Sequence, residues 1–206
     1  MIMKKALLII GILISFSVIA EEKIVIVDGR KILLSEDFTW QYIEDEEIEQ
    51  ADDPLILNKD FRLQAIYVDP KKRFQICLDP KIWKSVKPIS HGYKAQFINA
   101  DDTGYGLVIF DGIELTLDQI QNMLINNANN VDSNAYILST KDCIVNDLSG
   151  RLITYAVTTM DIDLVFFTFI YSSDLGSMQY TFYTANSYFE ELRPVFLKAI
   201  SGLEFL

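Results

Sequence analysis

The sequence predicts an α+β protein, in which an antiparallel β-sheet is flanked by helices and preceded by a small β-hairpin module. Many short runs alternate apolar and polar residues, which is typical of strands with one buried face. Only two segments, one in mid-chain and one near the C-terminus, have the spacing of an amphipathic helix. Half of the 206 residues are apolar, so a sizeable core can form without disulfide bonds or structural metal ions to stabilise it.

The first twenty residues have the pattern of a cleavable signal peptide. Lys4 and Lys5 precede an apolar run that closes at Ala20, where we expect cleavage. The mature protein would begin at Glu21 and be periplasmic or secreted. The first cysteine is Cys77, so the junction offers no lipoprotein attachment site, and we expect no stable membrane insertion after cleavage. An uncleaved signal anchor is the alternative.

Residues 21–44 are predicted to form the hairpin module. Two short apolar strands flank Asp28-Gly29, a dipeptide that favours a tight hairpin turn. A third strand, residues 37–43, has alternating aromatic residues. This segment resembles the start of a group of uncharacterised exported bacterial proteins, and no activity is implied. The shared residues are Asp28-Gly29-Arg30, Leu34 and Asp37-Phe38-Thr39-Trp40-Gln41-Tyr42.

Residues 45–54 are dense in Asp and Glu and predict a solvated linker to the main domain, residues 55–206. The first half of that domain is expected to contain four strands. They are residues 63–68, 73–78, 93–99 and 105–110. Ile82 and Trp83, which follow Pro80, indicate a short helical or irregular step.

The mid-chain helix is predicted from Leu117 to about Asn127, because Thr116 and Gln119 form a capping box before apolar residues at helical spacing. The chain then forms a meander of four long strands. They are residues 136–145, 151–160, 164–172 and 178–184. A closing helix is expected to be capped by Ser187 and interrupted at Pro194.

A family resemblance covers residues 63–205. Phe74-Gln75-Ile76 leads into Pro80 and Trp83, Gly150 precedes a long strand, and the closing helix is followed by Ser201-Gly202-Leu203-Glu204-Phe205. This order resembles the PsbP-like fold that is shared with the nuclear-import factor Mog. The resemblance implies an antiparallel sheet covered by helices, in a family of adaptor, assembly and chaperone-like proteins that bind other proteins. No catalytic set is shared across that family, so none is carried over.

The charge balance argues against nucleic acid as a ligand. The chain holds 18 basic and 29 acidic residues, and removal of Lys4 and Lys5 with the leader would give a net charge of about −13. Phosphate backbones need clustered cations, and the only basic cluster is residues 71–73. An acidic surface would instead speed the encounter with a basic protein partner.

The sequence contains no recognisable catalytic, cofactor-binding or metal-binding motif. His91 is the only histidine, so a histidine-based triad or multi-histidine metal site would depend on it alone. Two carboxylate pairs, Asp101 with Asp102 and Asp161 with Asp163, are the nearest candidates for glycoside hydrolysis, and the second also for Ca²⁺. We interpret both as solvated turns.

Two further sets of residues are candidate sites. Cys77 and Cys143 can form a disulfide in an oxidising compartment, and two separate buried thiols are the alternative. Phe167, Phe169 and Tyr183 are expected to share a sheet face and to line an apolar ligand pocket, although such residues in central strands are more often core.

These observations favour an exported, non-enzymatic protein-binding module of the adaptor, assembly or immunity type. A periplasmic carrier of a small apolar ligand is the alternative from a different class. A carboxylate-dependent hydrolase is a second alternative with less support.

Overall fold

The computed structural model describes residues 23–27, 30–34, 39–42 and 53–206. The chain divides into two compact units, Met1–Asp52 and Asp53–Leu206. The predicted signal peptide and most of the acidic linker lie outside the described residues. Among the residues that are described, no helix combines the length and apolar character needed to cross a bilayer.

The N-terminal unit contains a three-stranded antiparallel sheet. Its strands, in sheet order, are β1 (Lys23–Val27), β2 (Arg30–Leu34) and β3 (Trp40–Tyr42). Val27 pairs with Arg30, and Leu34 pairs with Trp40.

The second unit contains eleven strands and two α-helices within residues 53–206. In chain order they are β4 (Leu55–Leu57), β5 (Gln64–Val68), β6 (Phe74–Leu78), β7 (Trp83–Val86), β8 (Tyr93–Asn99), β9 (Gly104–Asp111), α1 (Leu117–Asn129), β10 (Tyr136–Val145), β11 (Leu148–Thr159), β12 (Ile162–Ser173), β13 (Gly176–Ala185), α2 (Phe189–Ile200) and β14 (Leu203–Phe205).

Eight of these strands form one large sheet in the order β4-β10-β11-β12-β13-β9-β8-β7. All neighbours in it are antiparallel except β4 and β10. A small antiparallel sheet has the order β14-β6-β5. The large sheet carries α1 on one face and both α2 and the small sheet on the other. The predicted α+β class, an antiparallel sheet flanked by helices, is confirmed.

The main core fills the space between the large sheet, α2 and the small sheet. Phe182 of β13 stacks on Phe196 of α2 at a ring-centroid distance of 5.4 Å and meets Trp83 of β7 at 4.9 Å. The Phe182 ring also lies over Gly106, where a Cβ would come within 2.7 Å of it. A glycine at position 106 therefore lets the aromatic layer approach the sheet closely.

The second core lies under α1. Ile120, Leu124 and Ala128 recur at helical spacing and are buried against β11 and β12. The predicted capping box is present, because the Thr116 hydroxyl accepts from the Gln119 backbone N–H and the Gln119 side chain accepts from the Thr116 N–H. The box fixes where α1 begins and therefore which face it buries.

Asn146, in the turn between β10 and β11, connects the large sheet to the opposite layer. Its Nδ2 donates to the carbonyl oxygens of Ser201 at 2.7 Å and Leu203 at 2.8 Å. Its Oδ1 accepts from the backbone N–H of Lys59 at 2.7 Å. Its φ of +46° suits asparagine better than most residues.

The turn from α2 into β14 depends on Gly202. The backbone N–H of Cys77 donates to the Gly202 carbonyl at 2.8 Å. A Cβ at Gly202 would collide with the carbonyl oxygen of Cys77. The small sheet can therefore close over the end of α2 only when position 202 has no side chain.

Several expected elements differ from the structure. The expected step at Ile82 and Trp83 is present only at Ile82, which lies in a turn whose N–H donates to the Asp79 carbonyl at 3.0 Å; Trp83 instead begins strand β7, which was not expected. Ser187 lies in a 3-10 turn and does not cap α2, which begins at Phe189 without a side-chain cap. Pro194 lies inside α2 without ending it, since α2 runs on to Ile200. Strands β4 and β14 were not expected, because each has only three residues and pairs with a distant strand.

Replacement of Asn146 tests the connection between the two layers. Asn146→Ala leaves two backbone carbonyls and one N–H without their partner, so we expect a loss of about 2 to 3 kcal/mol in the free energy of unfolding. Urea denaturation measures this loss. The control Asp147→Asn keeps a residue that tolerates positive φ and should change stability by less than about 0.5 kcal/mol. Equal stability of both variants would contradict the connecting role.

Candidate functional site

A groove lies between α1 and the face of the large sheet on which it packs. Its volume is about 390 Å³. We call it the α1 groove. Leu124, Asn127, Ala128 and Val131 come from α1 and the loop after it, and the remaining lining comes from five strands of the sheet. These are Tyr93, Leu107, Ile109, Tyr155, Val157, Thr159, Leu164, Phe166, Gln179 and Thr181.

The groove follows from the strand pattern and from where α1 lies. The helix packs on β11 and β12, while the same sheet face continues through β13, β9 and β8. In β9, alternation points Leu107 and Ile109 into the groove and Val108 and Phe110 into the main core. The sheet face beyond the helix is therefore apolar but only partly covered.

Four aromatic rings stack across the sheet at the edge of the groove. Tyr155, Phe166, Tyr183 and Tyr105 belong to β11, β12, β13 and β9, and each pairs directly with the next in the strand register. The successive ring-centroid distances are 4.9, 5.0 and 5.2 Å, with interplanar angles of 14°, 18° and 21°. We call this row the aromatic ladder.

The two inner rings of the ladder, Phe166 and Tyr183, present their edges to their surroundings, because both faces of each ring are stacked on a neighbour. Pairs of this kind contribute about 0.5 to 1.5 kcal/mol each beyond the area that they bury. Burial raises the pKa of the Tyr155 and Tyr183 phenols above the ordinary value. Both hydroxyls are therefore neutral at physiological pH.

The described lining of the groove contains no charged side chain. Its polar groups are the amides of Asn127 and Gln179 and the hydroxyls of Tyr93, Tyr155, Thr159 and Thr181. The Thr181 hydroxyl is already bonded to that of Thr168 at 2.9 Å. The groove can therefore hold an apolar molecule and offer it a few neutral hydrogen-bonding groups.

The expected pocket of Phe167, Phe169 and Tyr183 is wrong in its grouping. Phe167 and Phe169 are buried in the main core, whereas Tyr183 lies on the opposite face in the aromatic ladder. The turn between β12 and β13 pairs Ser173 with Gly176, and the same register pairs Phe166 with Tyr183. Counting residues from that turn would have placed Tyr183 beside Phe166.

The candidate carboxylates do not converge. Asp101 and Asp102 are exposed in the turn between β8 and β9, and Asp161 and Asp163 are exposed at the hairpin between β11 and β12. None of the four carboxylates lines the α1 groove, whereas paired glycosidase carboxylates flank the scissile bond of a bound substrate. In residues 53–206 and the shorter described stretches, no group of three or more His, Cys, Asp or Glu could hold a metal ion.

The remaining sequence candidates also lie apart. His91 is exposed in the loop before β8. Cys77 and Cys143 are both buried free thiols, so the possible disulfide is not formed. Alternation along β6 explains the separation, because Phe74 and Ile76 point into the core that contains Cys143 while Cys77 lies beside Glu204.

Comparison with known proteins identifies the fold. No family model matches the sequence, and no curated protein matches it. CyanoP, the cyanobacterial PsbP of Synechocystis sp. PCC 6803, superposes with a TM-score of 0.53 at 15% identity, over 70% of this chain and 93% of CyanoP. This match confirms the PsbP-like sandwich that the sequence order indicates, and at this identity it concerns the fold alone.

Two further solved structures are similar at lower TM-scores. LpqN of Mycobacterium tuberculosis, described as involved in cell envelope biogenesis, has a TM-score of 0.48 at 8% identity, over 64% of this chain and 82% of LpqN. A protein from Bacteroides thetaiotaomicron VPI-5482 has a TM-score of 0.46 at 13% identity, over 68% of this chain and 47% of its own.

The state of the cysteines can be tested by thiol counting. Desolvation raises the pKa of Cys143 to about 11 and also raises that of Cys77. Because both thiols are buried and protonated at pH 8, we expect neither to react with a disulfide reagent in the native protein. Both should react after denaturation without reductant. Fewer than two reactive thiols in the denatured chain would contradict the free-thiol state.

Proposed function

We propose that this chain is an exported, non-enzymatic binding protein that holds a small, mainly apolar molecule in the α1 groove. The observation that carries the proposal is the groove itself, about 390 Å³ of apolar space between α1 and the aromatic ladder. Pockets for small molecules span about 300 to 1,000 Å³ and have a mainly apolar lining with a few polar groups. The groove fits the lower part of that range.

Export is supported by the leader pattern of residues 1–20, in which two lysines precede a short apolar run and a small residue. A carrier works by retaining and releasing its ligand, and the partly open groove suits this role. The ligand could enter beside α1 without the main core being disturbed, since that core lies on the other face of the large sheet.

A role without catalysis is supported by the chemistry of the lining. The polar groups that face the groove are amides and hydroxyls, which neither take up nor release a proton near neutral pH. Burial raises the pKa of Tyr155 and makes it a weaker acid still. General acid or base catalysis needs a group whose pKa lies near the working pH. The groove therefore suits binding better than proton transfer.

Native mass spectrometry of freshly purified mature protein tests the proposal. We expect a bound molecule of defined mass that is released on denaturation. Leu107→Trp should abolish it, because the larger side chain fills the groove from β9. The control Val68→Trp places the same residue on β5, where Val68 is 47% exposed, and should retain the ligand. The carrier function would be contradicted if the wild-type protein held no molecule. It would also be contradicted if Leu107→Trp held as much of the molecule as the wild-type protein.

A protein partner is a second candidate, favoured by exposed apolar side chains at one end of the groove. Met160 is 92%, Val131 63% and Ile162 52% exposed. They lie at one end of the unit, because the Asp132 carboxylate, next to Val131, accepts the backbone N–H of Thr158 at 2.8 Å. We call these three residues the apolar rim. Exposed apolar groups that cluster in this way are typical of interaction sites.

A pull-down from envelope extract, at low and at moderate salt, tests the second candidate. We expect the wild-type protein to retain a specific partner that Ile162→Asp loses. Leu175→Asp is the matched control, because Leu175 is 45% exposed at the hairpin between β12 and β13, at the other end of the strands. An interface at the apolar rim would be contradicted if both variants retained the partner. It would also be contradicted if the wild-type protein retained no specific partner at either salt concentration.

A further inference from the structure

We infer that the α1 groove selects neutral molecules that carry a flat ring system and rejects anions, including fatty-acid carboxylates. The inference rests on the proposed binding function and specifies the ligand class. Three observations lead to it: the uncharged lining of the groove, the edge of the half-buried Phe166 ring in the ladder and the negative charge of the protein.

The uncharged lining disfavours an ionised ligand. An anion that leaves water needs a cation or several hydrogen-bond donors to replace its hydration. The donors of the lining residues are the neutral amides of Asn127 and Gln179 and the hydroxyls of Tyr93, Tyr155 and Thr159. The Thr181 hydroxyl is held by Thr168. A carboxylate in the groove would therefore lose more hydration than the lining replaces, whereas a neutral hydroxyl, amide or ketone would not.

The aromatic ladder favours a flat ring. Phe166 stacks between Tyr155 at 4.9 Å and Tyr183 at 5.0 Å, so its edge is the part of the ring left to contact a ligand. Ring edges carry partial positive charge and ring faces partial negative charge, which makes the edge-to-face arrangement favourable. A ligand ring that stands against this edge would have Leu107 and Leu124 as apolar neighbours.

The charge of the unit that contains the groove acts in the same direction. Residues 53–206 hold 18 acidic and 13 basic side chains, a formal net charge of −5, and a field of this sign lowers the local concentration of anions and slows their association. Salt screens this contribution, whereas the hydration penalty in the groove persists at high salt. Rejection of anions should therefore weaken only in part as the ionic strength rises.

A pair of fluorescent dyes that share one ring system tests the inference on the full mature chain. N-phenyl-1-naphthylamine is neutral, and 8-anilinonaphthalene-1-sulfonate adds a sulfonate to the same phenylnaphthylamine. We expect the neutral dye to bind at least tenfold more tightly, at low and at moderate salt. Leu107→Trp should abolish binding of the neutral dye, which locates it in the groove.

A charge placed in the groove provides the decisive comparison. Gln179 is half-buried in the lining, and Gln179→Lys should tighten binding of the sulfonate dye at least fivefold relative to the neutral dye. Gln64→Lys adds the same charge at an exposed position of β5 and should leave the ratio unchanged. Far-UV circular dichroism verifies that both variants are folded.

The outcomes separate the two claims. If both dyes bind equally and Leu107→Trp blocks both, the groove is a binding site but the selection of neutral ligands is overturned. The same conclusion follows if Gln179→Lys and Gln64→Lys give equal ratios. If neither dye binds the wild-type protein, the proposed binding function fails together with the inference.

Discussion

The hydrogen bonds of the Asn146 side chain are the interaction on which the arrangement of layers in residues 53–206 depends. One amide joins the turn between β10 and β11 to the carbonyls of Ser201 and Leu203 and to the N–H of Lys59. Gly202 makes this geometry feasible, because any side chain there would meet the backbone of Cys77. These polar contacts set the position of β14, and the apolar core then fills the space that they define.

The α1 groove is a consequence of unequal coverage of the large sheet. One face is sealed by α2 and the small sheet, and its side chains, such as Phe167, Phe169 and Phe182, are buried. The other face carries α1 mainly over β11 and β12, so its apolar residues are partly covered. The direct pairing of Tyr155, Phe166 and Tyr183 turns that face into an ordered aromatic surface. One face of the large sheet therefore belongs to a closed core, whereas the other face remains an open apolar surface.

Local patterns predicted most of the fold. The capping box predicted that α1 begins at Leu117, and the alternation of apolar and polar residues predicted the long strands of the meander. Local patterns could not predict β4 and β14, because each strand has only three residues and pairs with a strand far away along the chain. The site was missed for a related reason. A ring ladder is a property of register between strands, so Tyr183 had to be counted from the hairpin turn before its neighbour could be known.

The pairing of β6 with β14 has a consequence for the order in which the chain can fold. Ile76 pairs with Leu203, so the partners are separated by roughly 130 residues. During synthesis, β6 emerges long before β14, the strand that completes its sheet. Until β14 is available, the apolar side chains of β6 remain exposed. Contacts of such high sequence separation slow folding and extend the life of aggregation-prone intermediates. The small sheet of this chain is therefore completed only once Leu203–Phe205 is available to pair with β6.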